Sequence, residues 1–178
     1  DNGNLFTDHV IINLGAADIN TLKYSYPLAA TKNDSYISVT SALLTDVYYN
    51  PMTPISESAA EKVNSHTMDT SPPAVAEYSI DMSTSQITLE WDEGIKFSSI
   101  DITQATLQQF AKKAQGEDTL LSNCSILSDS GVQSVYLYIT LDADTAAFIK
   151  YYGIGTGNFS SWLSFSDTFV SDNMDTFA

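Results

Sequence analysis

The chain has 178 residues, of which 22 are acidic and seven basic, giving a net charge of −15. All seven basic residues are lysine, which argues against a nucleic-acid-binding or anionic-membrane-binding protein, because phosphate recognition leans on arginine and a basic face. With 43% hydrophobic residues, ten Tyr and eight Phe the chain can still build a core, and no apolar run approaches the ~20 residues of a membrane span. Serine and threonine are abundant and charges sparse, a profile of secreted β proteins. The acidity suits a solvated surface or one that collects cations. The opening at Asp1, without an initiator Met or a signal peptide, is expected of a processed or excised piece of a longer protein.

In chain order, the pattern predicts a strand over residues 10–14, a helix-like segment over 18–24 and a strand over 36–44. Residues 47–69 contain Pro51 and Pro54 and then a Ser-Ala-Glu-Lys stretch, and read as a linker with one or two helical turns. Ala76, Tyr78, Ile80 and Met82 alternate with polar residues. Ile87, Leu89 and Trp91 do so again beyond the turn Ser83-Thr84-Ser85, so the two runs predict a β-hairpin. Residues 102–110 and 120–127 are further strand candidates. Val135, Leu137, Ile139 and Leu141 mark a strand with Tyr136 and Tyr138 on its other face. Residues 144–151 predict a short helix, a crossover turn more than a packed element, and 163–170 the last strand. Six or seven strands in residues 70–178 indicate a β-sandwich.

The chain also matches itself. Residues 10–24 lie over 137–151 without a gap, with Ile12, Leu14, Ala16, Lys23 and Tyr24 meeting Ile139, Leu141, Ala143, Lys150 and Tyr151. After a one-residue slip, Tyr36-Ile37-Ser38-Val39 meets Trp162-Leu163-Ser164-Phe165, and Leu43-Leu44-Thr45-Asp46 meets Phe169-Val170-Ser171-Asp172. Residues 70–178 thus read as one whole repeat, 1–46 as the C-terminal part of another, and 47–69 as the linker between them. Such a part rarely buries enough surface to fold alone. Upstream chain, or another polypeptide, is expected to supply its missing strands.

Asp69-Thr70-Ser71-Pro72-Pro73, the hairpin, Asp92-Glu93-Gly94-Ile95 and Ser99-Ile100-Asp101-Ile102-Thr103 resemble the opening of an Ig-like, cadherin-like repeat of the form D-T-T-P-P, strand, turn, L-T-F-S-E-x-V, S-x-L-D-x-T. Asp18-Ile19-Asn20-Thr21-Leu22-Lys23 is similar to that family's D-L-N-A-I-K element, as is the stretch 141–150, in which Asp144-Thr145-Ala146-Ala147 departs from it. Asp46-Val47-Tyr48-Tyr49-Asn50-Pro51 resembles the closing D-x-x-G-N-P, whereas the second copy closes with Asp172-Asn173-Met174-Asp175-Thr176 and lacks the Asn-Pro. Such repeats stand in tandem in large secreted or surface proteins of diatoms, brown and golden algae and other stramenopiles. The resemblance implies an all-β fold of Ig-like sandwich repeats, each with one short crossover helix. It also implies an extracellular, non-enzymatic structural or adhesive role in a flagellar hair, a cell wall or an adhesive. Expected partners are other copies or other chains that complete residues 1–46, with no nucleic acid and no membrane insertion.

The chemistry-bearing residues fit that expectation. Gly153-Ile154-Gly155-Thr156-Gly157 follows a helical segment instead of opening one, so it reads as a turn and not a phosphate loop. His9 and His66 have no Cys or His neighbour at metal spacing. Glu90 and Asp92 lie on the solvent side of a strand, and no catalytic residues are assigned. Hard cations want several converging oxygens, and Asp69, Glu93 and Asp101 are candidate calcium ligands where strand ends and linker meet. Calcium is the one cofactor suggested. Asn33, Asn123 and Asn158 open Asn-x-Ser sequons, acceptors for glycans if the chain is secreted, although this composition would produce such triplets by chance. Cys124 reads as a small buried hydrophobe or as the half of an intermolecular disulfide. The tyrosines, Tyr48, Tyr49, Tyr136 and Tyr138 among them, fit either core or contact surface. The rival reading is a secreted carbohydrate-binding or carbohydrate-active protein, for which Trp91 or Trp162 would stand exposed beside paired carboxylates.

Overall fold

A computed structural model describes residues 9–127 and 135–172. The chain forms two compact units, Asp1–Asp69 and Thr70–Ala178. Among the described residues it is β-rich, with three antiparallel sheets and two α-helices.

In the second unit, β3 (Val75–Asp81) and β4 (Gln86–Trp91) form the predicted hairpin, in register Tyr78↔Leu89 and Ile80↔Ile87. Its turn is tied by Asp81, whose carboxylate accepts from the Ser83 and Thr84 backbone N–H groups and the Ser83 hydroxyl. One detail differs from the alternating pattern. A register shift between Val75 and Glu77 turns Val75 inward and leaves Ala76 exposed. Strand β8 (Tyr136–Thr140) pairs with β4 on one side and with β7 (Ser125–Leu127) on the other, so this sheet runs β3-β4-β8-β7. A second sheet runs β6-β5-β9, from β6 (Asp118–Leu120), β5 (Ala105–Gln108) and β9 (Trp162–Phe165).

The two sheets share one core. Ile87, Leu89, Leu137 and Ile139 enter it from the first sheet, and Ala105, Leu107, Leu163 and Phe165 from the second. Trp91 is 2% exposed and packs beside Phe165 and Phe169, with ring centroids 6.0 and 6.1 Å away. Period-2 alternation has a direct packing cause here, because one face of each strand meets the other sheet.

Three expected elements are redrawn. The stretch 102–110 opens as a 3-10 turn, Ile102–Gln104, and becomes strand only at Ala105, because Asp101 accepts from the Thr103 N–H and hydroxyl and holds the turn. The stretch 120–127 is two strand ends, β6 and β7. Between them the chain reverses through a bond from Cys124 N–H to the Leu121 carbonyl. The last strand stops at Phe165, since Phe169 N–H turns back to the Ser166 carbonyl. Helix α2 (Ala143–Tyr152) is packed and no mere crossover turn: Ile149, Ala146 and Thr145 are buried. Asp142 caps it, accepting from Asp144 and Thr145 N–H and from the Thr145 hydroxyl at 2.5 Å. Those bonds, the Thr145 hydroxyl foremost, hold the Asp142 carboxyl below the usual carboxylate range. Gly153 closes the helix at φ 71°, a left-handed position.

The first unit is built of the same pieces with less behind them. Helix α1 (Ala16–Tyr24) starts 127 residues before α2, Ala16 against Ala143, and strand β1 (Tyr36–Ile37) starts 126 before β9, Tyr36 against Trp162. Residues 10–14, the counterpart of β8, are not a strand. In the second unit β8 is held between β4 and β7, and among the described residues the first unit has no counterpart of either. The expected strand over 36–44 is reduced to β1 and a bridge at Val39. Residues 47–69 fold back on it, since β1 pairs with β2 (Glu61–Lys62), Val39 with Ile55, and Thr45 with Pro51. The apolar residues stay outside. Val10, Ile11, Ile12, Leu14, Ile37, Leu43 and Leu44 are all exposed.

Candidate functional site

Two places in the second unit concentrate chemistry. One is a pair of buried acids. Glu93 follows β4, and Asp172 is bridged to Ile95, which brings their carboxylate oxygens within 4.8 Å of each other. Both are buried, Asp172 fully. Of the three expected calcium ligands, Glu93 has a carboxylate neighbour in its own unit, Asp172. Asp101 is exposed and spends its oxygens locally, on Thr103 and on the Gln104 amide at 3.2 Å, which holds its carboxyl below the ordinary range. Asp69 closes the first unit and pairs with the Lys23 ammonium at 2.5 Å. Asp172 was missed by the sequence reading. Its signal was present, as the residue aligned with Asp46 in the internal repeat.

Asp46 itself organises a tight turn. Its carboxylate accepts from Tyr48 N–H, Asn50 N–H and the Asn50 amide at 2.8–2.9 Å. Those bonds, that of the Asn50 side chain first, lower its pKa. Tyr49 takes φ 65° there, and both Tyr48 and Tyr49 project into solvent. On β8, Tyr136 is exposed opposite Glu90, whose charge raises the phenol pKa, and Tyr138 is half-buried.

The other place is a groove of about 440 Å³ lined by Tyr78, Ser79, Ile80, the loop Gly155-Thr156-Gly157-Asn158, Ser161 and Trp162. Trp162 is 42% exposed, in contrast to Trp91. The Tyr78 hydroxyl donates to the Ser161 carbonyl and so pins the loop to β3. No carboxylate lines the groove.

The remaining candidates have plain surroundings. Asn33, Asn123 and Asn158 are all exposed, and Asn33 accepts from Lys62 at 2.8 Å. Cys124 is buried, lies 3.7 Å from an Asp142 oxygen, and has its thiol pKa raised by burial. His66 contacts the Ala29 carbonyl at 2.9 Å. Among the described residues no helix is long and apolar enough to cross a membrane. Comparisons with protein-family models, with curated proteins and with solved structures give no match.

Proposed function

We propose that the chain is an extracellular, non-enzymatic structural or adhesive module made of Ig-like repeats, and that strands of another chain in a surface assembly complete its first unit. The observation that carries this reading is a contrast between equal residues at equal repeat positions. Ile139 is 0% exposed and Ile12 is 57%; Leu141 is 6% exposed and Leu14 is 48%. Roughly 1.5–3 kcal/mol per aliphatic side chain is forgone when such groups stay in water. Contiguous exposed apolar surface of this kind marks an interaction site. The occupant we propose is an amphipathic strand pair like β3–β4, because β4 of that hairpin pairs directly with β8, the strand that carries Ile139, and strand addition is a common mode of recognition.

Two further observations support the Ig-like reading. Two antiparallel sheets share one core in Thr70–Ala178. Tyr49 has a positive φ at the place where the resembled closing motif carries glycine. Sedimentation velocity with a dye that reports exposed apolar surface tests the proposal. We expect concentration-dependent association that quenches dye binding, and a compact monomer that binds no dye would contradict it.

Calcium is proposed at Glu93 with Asp172. A hard cation takes several converging oxygen ligands, and these two carboxylates bring theirs within 4.8 Å of each other. Millimolar calcium should raise the unfolding temperature of the chain by mass action, and magnesium less. Equal shifts with both ions, or a shift retained in Glu93→Gln, would remove the site.

A further inference from the structure

We propose that the groove between β3 and the head of β9 binds a neutral oligosaccharide, with a pyranose ring face stacked on the Trp162 indole. The groove lies where the edges of the two sheets approach: β3 is the outer strand of one, β9 the outer strand of the other. Along β9, Leu163 and Phe165 turn into the core, so alternation puts Trp162 and Ser164 outside. An indole held in that way is a flat apolar surface with a wet rim, suited to the C–H face of a sugar.

Every side chain that lines the groove is uncharged, in a chain of net charge −15. The field of the whole molecule disfavours acidic polysaccharides, and no lysine in the lining would anchor one. Neutral hydroxyl and amide groups are what remain to grip a ligand. The Tyr78 hydroxyl is engaged by Ser161, and Thr156 donates to the Gly153 carbonyl. Ser79 and Asn158, both exposed, are left to hydrogen-bond sugar hydroxyls.

The wall is formed before any ligand arrives, which lowers the entropic cost of binding. Ile154 is fully buried beneath the loop, and Ser160 is buried and bonded to Thr156 at 2.9 Å. Gly155 sits at φ 79°, where an added Cβ would meet the Met82 sulfur at 3.1 Å, so glycine lets the loop lie close against β3. The volume falls within the usual range of small-ligand sites.

The 178-residue chain from a bacterial host without N-glycosylation leaves Asn158 bare, so any sugar in the groove is one that was added. Affinity electrophoresis through hydroxyethylcellulose, xyloglucan, galactomannan or amylose should retard it in at least one neutral polymer, with polygalacturonate as the acidic control. The same polymer should shield tryptophan emission from acrylamide, a signal that belongs to Trp162 because Trp91 is buried. Trp162→Ala should weaken retention roughly tenfold, the loss of one aromatic stacking contact. Asn158→Ala, at an exposed position that does not support the fold, should weaken it several-fold. No retention by any neutral polymer, retention equal in polygalacturonate, or retention unchanged in Asn158→Ala and Trp162→Ala would overturn the proposal.

Discussion

Ile12 and Ile139 are the same residue at the same place in two copies of one motif, and their surroundings are opposite. Ile139 is clamped between Ile87 of β4 and Ile126 of β7 across the ladder. Its truncation to alanine removes buried methyl groups and leaves a cavity, at a cost of about 2–5 kcal/mol. Ile12→Ala removes groups that already face water, and exposed substitutions change stability by about 0.5 kcal/mol or less. Urea denaturation of the two variants should separate them by at least about 1.5 kcal/mol. Equal losses would mean that residues 10–14 are buried in the chain by itself. The tryptophans divide the same way. Trp91, on the core face of β4, packs with Phe165 and Phe169, whereas Trp162 stands at the strand's outer face. Sequence periodicity placed Trp91, since its neighbours alternate in step with it. It could not place Trp162, because a strand of four residues has too few positions to distinguish its two faces.

Elements whose pattern is met by a partner strand were readable in advance. The hairpin Val75–Asp81/Gln86–Trp91 and the strand Tyr136–Thr140 carry period-2 apolar residues, and each has a neighbour in register. Residues 10–14 carry the same pattern and form no strand, because a ladder needs two strands and β4 and β7 have no counterpart there among the described residues. Pattern specifies which face a strand would bury; it does not supply the strand opposite. Short elements were blurred for another reason. Asp101, Ser166 and the Leu121–Cys124 reversal delay or end strands through local hydrogen bonds that compete with the ladder, and such bonds are cheap to make at many Ser, Thr and Asp positions. Helix α2 was legible in position from its acidic start and glycine stop, but not its depth. Its burial is decided by Ile149 meeting a core assembled from strands distant in sequence. The acid pair was half legible for the same reason. Glu93 lies in the motif that follows β4, and its neighbour Asp172 arrives 79 positions later (172 − 93) through the bridge to Ile95.

At the scale of the whole chain, the two units differ in how much sheet each one holds. Thr70–Ala178 holds two sheets and a shared core, while among its described residues Asp1–Asp69 holds one helix and one two-stranded sheet. The proposal that strands of another chain complete the first unit puts the points of attachment at its exposed apolar residues. Backbone hydrogen exchange on the full chain, followed as concentration rises, tests this most directly. Dilute protein should exchange fast across residues 10–14 and 36–44 and slowly in Gln86–Trp91 and Tyr136–Thr140, with slow exchange spreading to 10–14 only as chains associate. A monomer in which residues 10–14 are protected as strongly as Tyr136–Thr140 at every concentration would contradict the account.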